Sequence, residues 1–174
     1  KELGMDSAAI TDHGVMYGVI DFYRAAKAAG INPILGCEVY VAPGSRFDRE
    51  IGNGDDRYYH LVLLAENNQG YANLMKIVSR GYVEGFYYKP RVDMEVLQEF
   101  HEGIIALSAC LAGEVPRAIT ADDMQKAEEA ILWHKKLFGD DYYLELQLHP
   151  SGDPQKDADV YENQLRVNKA LPEL

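Results

Sequence analysis

Cysteine is scarce in this chain. Only Cys37 and Cys110 occur in 174 residues, too few and too far apart for a disulfide framework. A thiol or metal-ligand role in a reducing compartment suits them better, so a cytoplasmic location is expected. Long apolar runs are missing too. None approaches the roughly 20 residues of a membrane span, and no signal peptide is visible, so no membrane partner is expected. Basic residues are outnumbered, 17 Lys and Arg against 28 Asp and Glu, for a net charge of −11. That argues against a broad basic face gripping nucleic-acid backbone. No glycine-rich phosphate fingerprint follows the first apolar run, which counts against a dinucleotide fold.

What is present is an ordinary globular composition, 47% hydrophobic, long enough for one domain over residues 1–174. The ends, Lys1-Glu2-Leu3-Gly4 and Ala170-Leu171-Pro172-Glu173-Leu174, read as a helix C-cap and a stop just past a helix. They suggest a piece with at least one strand–helix unit missing upstream. Between them, strands are expected at 7–11, 33–42, 59–65, 104–108 and 142–148. Helices are expected at 15–29, from Asn67 or Asn68 to about 82, from the cap Asp93 to 100, at 114–119, from the cap Thr120 or Asp122 to 138, and at about 158–171. Residues 43–57, rich in Gly, Asp, Arg and Ser, read as a long surface loop and the best candidate for disorder. Residues 83–92 read as an aromatic loop. Alternation of strands and helices predicts an α/β fold with a mainly parallel sheet. Short units with polar residues after several strands favour a barrel over an open doubly wound sheet.

The polar residues at strand ends are the candidate site. Thr11-Asp12-His13-Gly14 follows the first strand, where parallel α/β proteins put their chemistry. A bland alternative is a turn whose Asp caps the next helix. Glu38 is an acid inside an apparently buried strand, costly unless paired or bound to a metal. Cys37 should point to the opposite face and join the core. Cys110 follows the fourth strand and His149 the fifth. Each has a bland reading as well: a small core hydrophobe for Cys110, a strand cap for His149. His60 starts the third strand, against the rule that sites lie at strand C-termini, unless the 43–57 loop folds back. His, Glu, Asp and Cys are the usual ligands of Zn, Mn or Fe. A scattered set of this kind is assembled by the fold, and two or three metals so held would polarise a phosphoryl group and activate water. In the segment Tyr87-Tyr88-Lys89-Pro90-Arg91, tyrosines could stack on bases, or could simply pack.

Five stretches then occur in a familiar order: Ala9-Ile10-Thr11-Asp12-His13-Gly14, Gly36-Cys37-Glu38-Val39-Tyr40, His60-Leu61-Val62-Leu63-Leu64-Ala65, Gly85-Phe86-Tyr87-Tyr88-Lys89-Pro90-Arg91 and Leu107-Ser108-Ala109-Cys110-Leu111-Ala112-Gly113-Glu114. Together they resemble the PHP (polymerase and histidinol phosphatase) family, in the branch found in the alpha subunit of bacterial DNA polymerase III. The resemblance implies a distorted (β/α)7 barrel, here partial, with a trinuclear metal site. It implies His13, Glu38, His60 and Cys110 as metal ligands, Asp12 and His13 as catalytic candidates, and His149, Arg91 and Lys89 as weaker ones. The family's pattern also has a His-x-His pair and an Asp before the position of Lys1, and an Asp-x-His pair beyond Leu174. The expectation is therefore partial metal occupancy, with up to three divalent ions in a complete set.

By the same resemblance, the parent would be a DNA-directed DNA polymerase active in replication, and this domain a metal-dependent phosphoesterase that removes 3′ nucleotides as a proofreader. DNA, through the rest of the polymerase, and the proofreading and clamp subunits would be its partners. The rival readings are a non-catalytic module that braces the polymerase and docks the proofreading subunit, and a free-standing phosphatase of small phosphomonoesters. Exposed sheet edges would allow a homo-oligomer of the chain.

Overall fold

The computed structural model describes residues 1–50, 57–148 and 158–174. The elements in order are β1 (Ser7–Ile10), α1 (Val19–Ala28), β2 (Asn32–Val41), β3 (Tyr59–Ala65), α2 (Asn68–Val83), β4 (Phe86–Tyr87), β5 (Lys89–Val92), α3 (Met94–Phe100), β6 (Ile104–Leu107), α4 (Glu114–Thr120), α5 (Met124–Phe138), β7 (Tyr142–Tyr143) and α6 (Ala158–Ala170). The long strand β2 organises the sheet. β3 pairs along one of its edges. The other edge is shared, β1 lying against residues 32–35 and β5 against residues 40–41. The order runs β4-β5-β2-β3-β6-β7, with β1 beside β2. β2 is parallel to β1 and β5, and β6 to β7, whereas β3 is antiparallel to both β2 and β6. Most strands therefore share one direction, as expected, and β3 and β4 oppose them. This is a mixed α/β sheet with most strands parallel.

Side chains alternate across a strand, and here the two faces differ. Cys37, Val39 and Val41 of β2, Leu61 and Leu63 of β3 and Ile104 and Ala106 of β6 point into one core. They meet Leu74 and Ile77 of α2 and Val96 and Leu97 of α3. Each Leu, Ile or Val among them, fully buried, contributes about 1.5–3 kcal/mol. The opposite face carries Gly36, Glu38, Tyr40, His60 and Val62, and is where chemistry can be placed. A second apolar cluster, with Val115, Ile119, Ala127, Ala130, Val167 and Leu171, joins α4, α5, α6 and the turn after α6.

The local signals were mostly read correctly. Asn67 caps α2, its side chain accepting from Gly70 N, and Asp93 caps α3 by accepting from Val96 N. Four readings change. α1 begins at Val19, four residues late, because Gly18 is a poor helix interior residue and serves as its cap instead. The cap of α5 is Asp123, not Thr120 or Asp122; Asp122 has φ +61 and turns the chain into it. The aromatic segment contains a hairpin, β4–β5, joined through Tyr88 at φ +60. The fifth strand ends at Tyr143 rather than 148: Glu145 N donates to Ser108 Oγ and Gln147 O accepts from Asn168 Nδ2, so side chains take over from the ladder.

The expected loose loop is also corrected over the part that is described. Arg46 is only 3% exposed. Its guanidinium is held by Asp93, Glu84 and Glu95 at 2.7–3.0 Å. Burial works against its charge, but these three carboxylates raise its pKa above the usual arginine value. Residues 51–56 lie outside the described residues.

Candidate metal centre

Glu38 enters the site because β2 alternates: its neighbour Cys37 points into the core and Glu38 away from it. Cys37 is fully buried, and burial pushes its thiol up to about 12, which leaves it an inert core residue as expected. His13 is placed by two backbone bonds that continue the β1–β2 ladder. Gly14 N donates to Glu38 O (2.9 Å) and Glu38 N to Asp12 O (3.0 Å). Gly14 must be glycine here. Its φ is +67, and a Cβ would stand 2.7 Å from the Tyr40 ring.

His60 looked misplaced at the start of its strand. The antiparallel direction of β3 resolves that: its first residues lie at the end of the sheet where β2 and β6 finish. The antiparallel register thus puts His60 opposite Tyr40, two residues along from the partner of Glu38. His60 N donates to Ala112 O, tying β3 to the turn that carries Cys110. That turn follows β6 and includes Ala109 at φ +61, a backbone conformation costing about 1–3 kcal/mol for a residue with a Cβ.

Three of the side chains meet, and Cys110 stands beside two of them. His60 Nδ1 donates to Glu38 Oε1 at 2.7 Å, and His13 Nε2 stands 3.7 Å from Glu38 Oε2. Cys110 Sγ lies 3.5 Å from His60 Nδ1 and 3.7 Å from Glu38 Oε1. Ligand atoms of His13, Glu38 and His60 all fall within 4.8 Å of one another. Burial opposes charge on the carboxylate, yet the bond from His60 and the charges of both histidines hold Glu38 below its usual range. Burial likewise opposes charge on His60, but its bonds with Cys110 and Glu38 outweigh it and raise the ring to about 9.

This donor set fits a divalent ion. Two imidazoles, a carboxylate with both oxygens engaged and an adjoining thiol match the mixed N, O and S preferences of Zn, Mn and Fe. His13 is the open side, its side chain 58% exposed.

The other sequence candidates fall elsewhere. The Asp12 carboxylate faces the head of α1, where a Cβ on Gly18 would meet Oδ2 at 3.1 Å. Lys89 stands over the Tyr40 ring, 5.3 Å from its centroid. Arg91 is fully buried and donates to the carbonyls of Gly85, Arg46 and Asp48, bracing the 43–50 segment. His149 lies outside the described residues.

Sequence reading missed the rings around the centre. Tyr40 packs on His13 (6.3 Å between centroids) and His60 (5.3 Å), and Tyr58 stacks on His60. The period-2 pattern of β2 puts Tyr40 on the face of Glu38, so it was findable. It also missed the polar groups behind His60. A cavity of about 10 Å³ is lined by His60, Ser108, Glu114, His134 and Tyr142. Burial raises the Glu114 carboxyl and the Tyr142 hydroxyl and lowers His134. These residues come from helices and a strand distant in sequence, and no local signal marks them.

A family model described as "PHP domain" matches residues 1–149. The chain is 47% identical over 165 residues to DNA polymerase III subunit alpha of Borreliella burgdorferi, covering 95% of this chain and 14% of that protein. It is 48% identical over 159 residues to the protein of that name in Treponema pallidum, covering 91% of this chain and 14% of the relative. For Thermus aquaticus the identity is 46% over 166 residues, 95% of this chain and 13% of the relative. The chain thus spans about one seventh of the length of these relatives. With the family model matched over most of its length and relatives approaching half identity, the chain belongs to the PHP domain family.

Proposed function

We propose that this chain serves a replicative DNA polymerase as its PHP domain, and that its centre is a metal-dependent phosphoesterase acting on the 3′ end of a DNA strand. The observation that carries the reading is the convergence of His13, Glu38 and His60 within 4.8 Å on the open face of the sheet. His13, Glu38, His60 and Cys110 would hold divalent metal, which supplies Lewis acidity toward a phosphoryl oxygen and lowers the pKa of water. The chain's own residues do the rest. Glu38 orients both histidines through its two oxygens. Tyr40 and Tyr58 wall the His60 side and keep its ring from turning. The exposed edge of His13 leaves the approach for a phosphate. A distorted barrel, completed by residues beyond this sheet, would enclose the set. DNA and other replicase subunits are the partners this reading implies.

One observation favours a second reading. Glu38 and His60 satisfy each other directly, by a hydrogen bond of 2.7 Å. A self-satisfied pair of this kind also suits a domain that braces the polymerase without catalysis. Release of 3′ nucleotides from single-stranded DNA separates the two. The phosphoesterase reading expects metal-dependent release, abolished in Glu38→Gln. Stoichiometric metal with no Glu38-dependent release would leave the bracing reading.

A further inference from the structure

The chain is acidic, yet it gathers cations at one place beside the metal centre. Lys89 lies over Tyr40, Arg57 4.0 Å over Tyr88, and Arg49 and Arg91 over Tyr87. That is four of its 17 Lys and Arg side chains around three rings of one hairpin and its neighbour strand. The acids nearby are already engaged. Glu84 is bound to Arg46 and Arg80, Asp93 to Arg46, and Asp48 accepts from Ser45 N.

Tyr88 is the second observation. It forms the turn of the β4–β5 hairpin at φ +60, a conformation glycine or asparagine would adopt at less cost, and the residue is 64% exposed, with the Arg57 guanidinium over one face of its ring. An exposed aromatic held in a strained turn is a reason to look for a ligand. The rings lead inward from it. Tyr87 packs edge-on to Tyr88, Lys89 joins the hairpin to Tyr40, and Tyr40 touches both His13 and His60. Lys89 and the two histidines thus share one neighbour, the Tyr40 ring.

We propose that the β4–β5 hairpin is the strand-binding platform of this centre: Tyr88 stacks on a base of single-stranded nucleic acid, and Lys89 pairs with the phosphate between that base and the nucleotide at the metal site. The inference deepens the phosphoesterase reading and rests on it for the position of the scissile phosphate. It also names the substrate class, since a small phosphomonoester has no base to offer Tyr88. Stacking tolerates any base, so the platform binds without sequence preference.

The test is equilibrium binding of a fluorescent 12-nucleotide oligothymidylate to the full chain, followed by anisotropy. Tyr88→Gly is the informative variant, because glycine relieves the turn and should fold at least as well. It should bind about tenfold more weakly, whereas Tyr88→Phe keeps wild-type affinity. Lys89→Ala should weaken binding and reduce the slope of log affinity against log salt by about 0.7. Lys136→Ala, at an exposed position on α5, is the charge control and should change nothing. Unchanged affinity in Tyr88→Gly overturns the proposal, as does an equal loss in Lys89→Ala and Lys136→Ala. Hydrolysis of a p-nitrophenyl phosphodiester, measured alongside, reports on the metal centre alone. Its absence would sink the phosphoesterase reading, and its survival in Tyr88→Gly would show that the platform selects substrate rather than builds the centre.

Discussion

The segment between β2 and β3 begins near one polar cluster and ends at another. Arg46 sits among Asp93, Glu84 and Glu95, buried and fully neutralised. Fourteen residues on, His60 sits among Glu38, Cys110 and His13, on the side that the largely exposed His13 leaves open. The first cluster contains its own permanent cation. The second contains donors that converge without one. That difference separates a structural clasp from a ligand set. A buried charge group that arginine satisfies has no place for a visitor. A carboxylate flanked by two imidazoles and a thiol keeps its lone pairs for something that can replace the proton.

The largest effect should come from breaking the clasp. Arg46→Ala leaves the Asp93 carboxylate buried without its cation and should cost about 3–5 kcal/mol in urea denaturation. If the two clusters are independent, metal affinity in the folded variant stays near wild type. A smaller loss, about 1–3 kcal/mol, is expected for Gly14→Ala, which combines strain at φ +67 with the collision against Tyr40. Unlike the clasp variant, it should also weaken metal binding, because it displaces the ring that backs both histidines. A thermal melt with and without added Mn²⁺ reads both effects. Next is the pH response. Burial holds His134 below its usual value of 6.5, so between the two values the unfolded chain binds more protons than the folded one. Stability from this group is present above about pH 6.5 and falls as the solution is acidified. Urea midpoints at descending pH should show the drop, and His134→Gln should flatten it. The smallest stability change belongs to His13→Ala. The side chain is largely exposed, so folding should shift by less than about 0.5 kcal/mol. Metal affinity should nevertheless fall at least the ~10–100-fold seen when residues supporting a metal site are removed. Arg46→Ala and His13→Ala therefore form opposite halves of the comparison: stability without binding, and binding without stability.

Much of this was legible in the sequence because it is local. The Asn67 and Asp93 caps, the runs of β2 and β3, and the outward turn of Glu38 against Cys37 follow from spacing alone. The direction of β3 does not. Antiparallel pairing is decided between residues far apart, and only that pairing explains why His60, at a strand's start, belongs with Glu38 in mid-strand. The clasp was hidden for a similar reason. Arg46 lies in a stretch whose composition reads as solvated loop, and its three acids come from 38 to 49 residues later. The β4–β5 hairpin escaped because its turn residue is tyrosine where local rules look for glycine or asparagine. The small cavity behind His60 is lined from β2, β3, α4, α5 and β7 and has no signature at any one of them.

The central claim is that His13, Glu38, His60 and Cys110 form one metal centre. Titration with Co²⁺ tests it most directly, since ligand-field bands report a bound ion and a thiolate charge-transfer band reports sulfur ligation. The account predicts saturable uptake with both signals. Glu38→Gln should lose the visible bands, and Cys110→Ser the charge-transfer band alone. Uptake of Co²⁺ with the same affinity and spectrum in the wild type and in Glu38→Gln would contradict it.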